Sequence, residues 1–233
     1  MKTLKQQTRL AGILYILIVL LGPFVIMYIP SIIIVDGNIS ETASNLLNNE
    51  TLFKIGILGE VIIIMIEILL VTLLYTIFKR VNAPLAKAAA YARYAMVIIM
   101  GVNVLVLSSI LPLINNQIYA SALNSEEINT LIYYLFNIHE YGVLVWGVFF
   151  SMHLMLLGFL VVQGKFTPSI LGRFLMVGSI GYFFESIKGI MGLGSNVCDT
   201  IVNILLIFSM LGEIGLFIYF IINKKTKENE YEN

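Results

Sequence analysis

Six long, predominantly apolar stretches constrain this chain more than anything else in it, because each exceeds the roughly 20 residues a helix needs to cross a hydrocarbon layer about 30 Å thick. They run from Leu10 to Val35, Leu52 to Phe78, Ala88 to Ile114, Ile128 to Val162, Leu171 to Leu193 and Ile201 to Asn223. Inside such a layer no water satisfies a backbone amide, so a spanning segment must close its own hydrogen bonds, which runs like these do as helices. Only 12% of residues are charged, against about 25% in soluble domains, and the mean hydropathy is +0.93. The expectation is an all-α fold: a polytopic transmembrane helical bundle of six spans over residues 1–223, read as one domain, with a cytoplasmic tail at 224–233. Pro23 and Pro30 in the first span and Pro112 in the third predict kinks or early helix ends. The fourth stretch is overlong, which predicts tilt or a protruding end. The apolar run after Lys2 and Lys5 is too long for the h-region of a signal peptide and reads as a retained span.

Orientation follows from the basic residues, which gather in short cytoplasmic loops. Lys2, Lys5 and Arg9 precede the first span; Lys79, Arg80, Lys87 and Arg93 flank the second turn; Lys165 and Arg173 flank the fourth; Lys224, Lys225 and Lys227 follow the sixth span. These are twelve of the fourteen Lys and Arg residues, with Lys54 and Lys188 outside the pattern. The opposite loops carry Asp36, Glu41, Glu50, Glu126, Glu127 and Asp199. Both termini are therefore expected inside a bacterial plasma membrane. The first outer loop, Asp36 to Leu47, predicts a short interfacial helix capped by Ser40 or Thr42.

With the spans in place, the chain resembles the bacterial membrane-protein family catalogued as domain of unknown function 4386. The matching pieces are Arg9 to Tyr15 entering the first span, the Asp36-Gly37 loop with Thr42 and Asn45, and Leu74-Tyr75 before a basic turn. His139-Glu140-Tyr141-Gly142, Phe149-Phe150, Leu157 to Leu160, and Pro168 to Gly172 follow in order. The resemblance implies a multi-span membrane protein and carries no catalytic or ligand residues with it. The acids of the second span and Lys188 depart from it.

An ionised side chain at mid-bilayer costs about 2.5 to 3.5 kcal/mol on insertion scales, so such residues normally face the bundle interior or water. The candidates for a polar cavity are Glu60, Glu67, His139, Glu140, Glu185, Lys188 and Glu213. Glu60, His139, Glu140 and Glu185 fall at similar depth on three spans and are expected to converge on one outward-opening cavity. Glu60 and Glu67, seven apart, share a helix face within roughly 20°. They read either as successive stations for a proton or cation, or as neutral acids bonded to neighbouring helices. Glu185 and Lys188, three apart, are expected to pair, as a structural couple or as a substrate-binding one.

His139 and Glu140 are adjacent and about 100° apart on a helix, and they lack the two histidines four apart of the zinc motif. His153 is about 21 Å along the axis from His139, so one helix cannot supply both axial ligands of a haem. His139, Glu60 and Glu185 could meet around a metal only across helices, and no metal or other cofactor is assigned. The lone Cys198 excludes an intrachain disulfide and a multi-cysteine cluster. Formal net charge is zero, so the expected partner is the lipid bilayer and not nucleic acid. A small molecule, a proton or another protein remains open as a further partner. Three classes of function remain: a non-catalytic membrane partner or regulator, which is preferred; a small transporter or ion-coupled permease; and an intramembrane enzyme acting on a lipid-like substrate.

Overall fold

The computed structural model describes residues 3–194 and 196–222. Lys2 and the tail with Lys224, Lys225 and Lys227 lie outside the described residues. Helix α1 (Leu4–Gly22) runs into a π-helical turn (Pro23–Tyr28) and then α2 (Ile29–Ile33). After the first loop come α3 (Ile39–Asn48), α4 (Glu50–Phe78), α5 (Ala83–Ser108), α6 (Ile110–Asn115), α7 (Gln117–Ala122), α8 (Ser125–Gln163), α9 (Ser169–Met191) and α10 (Asn196–Ile222). Among the described residues there is no strand, and six helical stretches are long and apolar enough to cross a membrane: 4–33, 50–78, 83–115, 125–163, 169–191 and 196–222. This is an all-α, six-span membrane architecture.

The prolines act where their missing amide falls. Pro23 opens the π-helical turn, and helical structure then resumes through Pro30 as far as Ile33. Pro112 cannot donate to the carbonyl four residues back, and the third span breaks there into α5 and α6, with Ser109 N bonding both Leu105 O and Val106 O. The loop helix α3 forms as expected, but its cap is Asn38, whose side chain accepts from Glu41 N at 3.1 Å. Neither Ser40 nor Thr42 does this. The Thr42 hydroxyl is buried and bonds the main chain of Val35 at both N and O, because that pairing ties the loop back on itself. Helix α8 begins on a reciprocal cap, Glu127 N to Asn124 Oδ1 and Asn124 N to Glu127 Oε2.

The chain divides into two compact units. Among the described residues the first comprises 3–17, 66–97, 144–194 and 196–222. Within it, α9 and α10 pack antiparallel through small residues: Gly178 lies against Ser209, Gly181 against Leu205 and Leu206, and Gly212 against Leu175. Gly158 and Gly172 bring the backbones of α8 and α9 together, and a Cβ on Gly12 would stand 2.7 Å from Phe217 O. Such glycines let membrane helices gain dispersion contacts by close approach. Tyr15 stacks on Phe217 with ring centroids 3.7 Å apart.

The second unit comprises residues 18–65 and 98–143. Its core is Ile29, Ile33, Leu46, Phe53, Ile57, Val104, Leu107, Ile110, Ile132 and Phe136. Asn103 donates to His139 O at 3.1 Å and covers Gly142, where any side chain would collide with it. In both units large apolar side chains are exposed, Leu69 and Met210 in the first and Leu20 and Leu105 in the second, while Glu60, Glu67, Arg93, His153 and Glu213 are buried. That arrangement suits a lipid-facing surface around polar interior groups.

Candidate functional site

The second unit contains a partly open cavity of about 400 Å³, within the range of small-molecule sites. Its walls come from the π-helical turn and α2, from α4 and from the N-terminal half of α8. One wall is apolar, with Ile29, Phe53, Ile57 and Phe136. The polar lining is Ser31, Asp36, Glu60, Tyr133, Asn137, His139 and Glu140. The local sequence explains this shape. The π-helical turn opened by Pro23 contributes Val25 and Ile26 to the wall, and such widened turns recur at functional sites. Gly56, on the cavity-lining part of α4, brings that helix into contact with Ile29.

Glu60 is the buried acid of this cavity, 8% exposed. His139 Nε2 stands 3.7 Å from Glu60 Oε1, beyond hydrogen-bond reach. Among the described residues nothing donates to the Glu60 carboxylate. Glu140 and Asp36 are exposed acids on the same lining, and Tyr133 Oη accepts from Gly37 N at 2.8 Å, holding the loop that carries Asp36. The lining includes no lysine or arginine.

The first unit holds a different kind of polar cluster. Arg93 Nε and Nη2 donate to the two oxygens of Glu67 at 2.7 and 3.0 Å. Arg93 Nη1 lies 2.9 Å from His153 Nε2, and His153 Nδ1 lies 2.8 Å from Ala89 O. Arginine has donors only, so Nε2 accepts, the ring proton sits on Nδ1 and His153 is neutral. Glu213 accepts from Tyr15 Oη and from Ser209 Oγ. The space beside His153 is only about 10 Å³, too little for more than one water. Bonded to one another across helices, with little space beside His153, these buried groups hold helices together and leave the cavity as the candidate site.

The seven sequence candidates thus divide. Glu60, His139 and Glu140 line the cavity; Glu67 and Glu213 belong to the buried cluster of the first unit. Glu60 and Glu67 therefore serve different partners despite sharing a helix face. Glu185 is in the first unit and does not line the cavity. Lys188 is within electrostatic reach of Glu185 but pairs with Asp199 instead. The reason lies in the helix ends: Lys188 sits in the last turn of α9 and Asp199 in the first turn of α10, where each charge also opposes its helix dipole. Among the described residues no group of three or more His, Cys, Asp or Glu could hold a metal.

Sequence reasoning overlooks Arg93, Tyr15 and Ser209, and takes Arg93 for a flanking charge. Its position, fourteen residues beyond Lys79 and ten inside α5, is the signal that it lies deeper than a turn.

Comparison with known proteins gives a family and little chemistry. A 101-residue segment is 30% identical to an "Uncharacterized protein" of the archaeon Archaeoglobus fulgidus, covering 41% of this chain and 57% of that protein. The chain thus spans just over half the length of that curated relative. No solved structure matches. The family described as "Domain of unknown function (DUF4386)" matches residues 10–223, nearly the whole membrane-spanning region. The chain belongs to the DUF4386 family.

Proposed function

We propose that this chain is a multi-pass protein of the bacterial plasma membrane, both termini cytoplasmic, that binds a small amphiphilic molecule in the cavity of its second unit. It acts there as a non-catalytic membrane component, in the class of partners and regulators. One observation carries the reading: an apolar wall of Ile29, Phe53, Ile57 and Phe136 faces a polar lining built around a buried, unbonded Glu60. A purely structural acid would be expected to have donors, as Glu213 does. The test is native mass spectrometry of the protein released from gently solubilised membranes, beside an Ile57→Trp variant that fills the cavity. A small molecule retained by the wild type and lost from the variant is expected. Identical spectra for the two would count against the cavity.

Transport is the second reading, favoured by the broken first span. Transporters set substrates against interrupted helices, and the Pro23–Tyr28 turn lines this cavity. Flux of the retained molecule into proteoliposomes, abolished by Ile57→Trp, would favour transport over retention.

A further inference from the structure

The cavity's lining also specifies the head group it can accept. Three carboxylates, Asp36, Glu60 and Glu140, line it with no lysine or arginine to offset them. Against three acids His139 is the one basic side chain of the lining, so an anionic head would meet net like charge at close range. Glu60 adds a second and independent constraint. It is a buried residue whose side chain is 11% exposed to the cavity it lines; no group among the described residues donates a hydrogen bond to it, and its ion-pair neighbour, His139 Nε2, stands 3.7 Å away. A carboxylate that opens on the cavity with no hydrogen bond from the protein is an unmet acceptor, a deficit that an incoming donor removes. The donor that removes most of it is a cationic N–H, because charge-assisted hydrogen bonds are roughly twice as strong as neutral ones.

The remaining lining fits the same ligand. Tyr133, Phe53 and Phe136 present aromatic rings to the cavity, and ring faces attract cations within about 6 Å. Ile29 and Ile57 provide an apolar surface for a tail. Asn137 adds a side-chain carbonyl that can accept a second N–H.

We propose that the cavity takes a protonated amine bearing a short apolar tail, with Glu60 accepting from its N–H groups and the tail lying against Ile29, Phe53, Ile57 and Phe136. This rests on the binding function proposed above. A neutral alcohol would fill the same space with one donor and no charge. A quaternary ammonium would bring the charge but no N–H, leaving Glu60 unbonded.

The experiment titrates the full chain in lipid nanodiscs with hexylamine, hexanol, hexanoate and hexyltrimethylammonium, using empty nanodiscs as the blank. Hexylamine should bind saturably and roughly tenfold more tightly than hexanol, a difference of about 1.4 kcal/mol. Hexanoate and the quaternary amine should both bind more weakly than hexylamine. Glu60→Gln should abolish the preference for the amine over hexanol, with circular dichroism and a monodisperse elution profile showing the variant to be folded. Should Glu60→Gln not fold, the wild-type ranking of the four ligands decides the matter alone. Equal affinity for hexylamine and hexanol, or tight binding of the quaternary amine, overturns the amine assignment and leaves the cavity reading intact. Absence of saturable binding by all four, or binding unchanged in Ile57→Trp, overturns the cavity reading and this inference with it.

Discussion

Arg93 holds Glu67 by two nearly parallel bonds, Nε to Oε2 at 2.7 Å and Nη2 to Oε1 at 3.0 Å, with both side chains almost wholly buried. The planar guanidinium matches the carboxylate fork, and its third arm reaches His153. One interaction thus joins α4, α5 and α8 within the first unit.

Removing one member of a buried pair strands the other charge, at about 3–5 kcal/mol. Arg93→Met and Glu67→Gln should each lower the unfolding midpoint in detergent substantially. The double variant should be less damaged than the sum of the two, since no lone charge remains. Strict additivity in that cycle would mean the two side chains do not depend on each other.

The Lys188–Asp199 pair is of the opposite kind, with side chains 28% and 45% exposed. Solvent screening leaves exposed pairs with little net effect. Lys188→Met and Asp199→Asn should leave the unfolding midpoint close to wild type, and Glu185→Gln should show only weak coupling with Lys188→Met. A large coupling between Glu185 and Lys188 in thermal unfolding would instead restore the pairing expected from their spacing.

Helix contact through glycine makes a graded prediction. A side chain at Gly178 would collide with the backbone of Ser209, whereas Gly101 has nothing within 4 Å of where a Cβ would stand. Gly178→Val should cost about 1–3 kcal/mol, the range for overpacking. Gly101→Ala should be neutral or stabilising by up to about 1 kcal/mol through helix propensity. Equal effects at the two positions, measured by chemical unfolding in detergent, would show that α9 and α10 do not approach so closely.

The orientation proposed from basic residues can be checked by labelling. In a Cys198→Ser background, an impermeant maleimide should reach Asn124→Cys on intact cells and Lys79→Cys only after the membrane is opened. The reverse pattern would invert the topology.

The amino-acid sequence by itself determined the six spans, because the thickness of the hydrocarbon layer acts on each stretch locally and needs no neighbour to be recognised. It determined the sites of helix disturbance as well, since Pro23 and Pro112 lack an amide wherever the rest of the chain lies. Depth, which follows from residue count along a helix, grouped Glu60, His139, Glu140 and Glu185; the first three line one cavity and Glu185 does not. Rotation and partnership were not legible, because both are set by residues arriving from other helices. Arg93 reads as a cytoplasmic flanking charge until Glu67 on α4 and His153 on α8 meet it. Glu213 reads as a lone acid until Tyr15, nearly two hundred residues earlier, donates to it. Lys188 turns to Asp199 and not to Glu185 because the turn after α9 folds the start of α10 back within reach of its flexible stem, a proximity that only the tertiary structure creates.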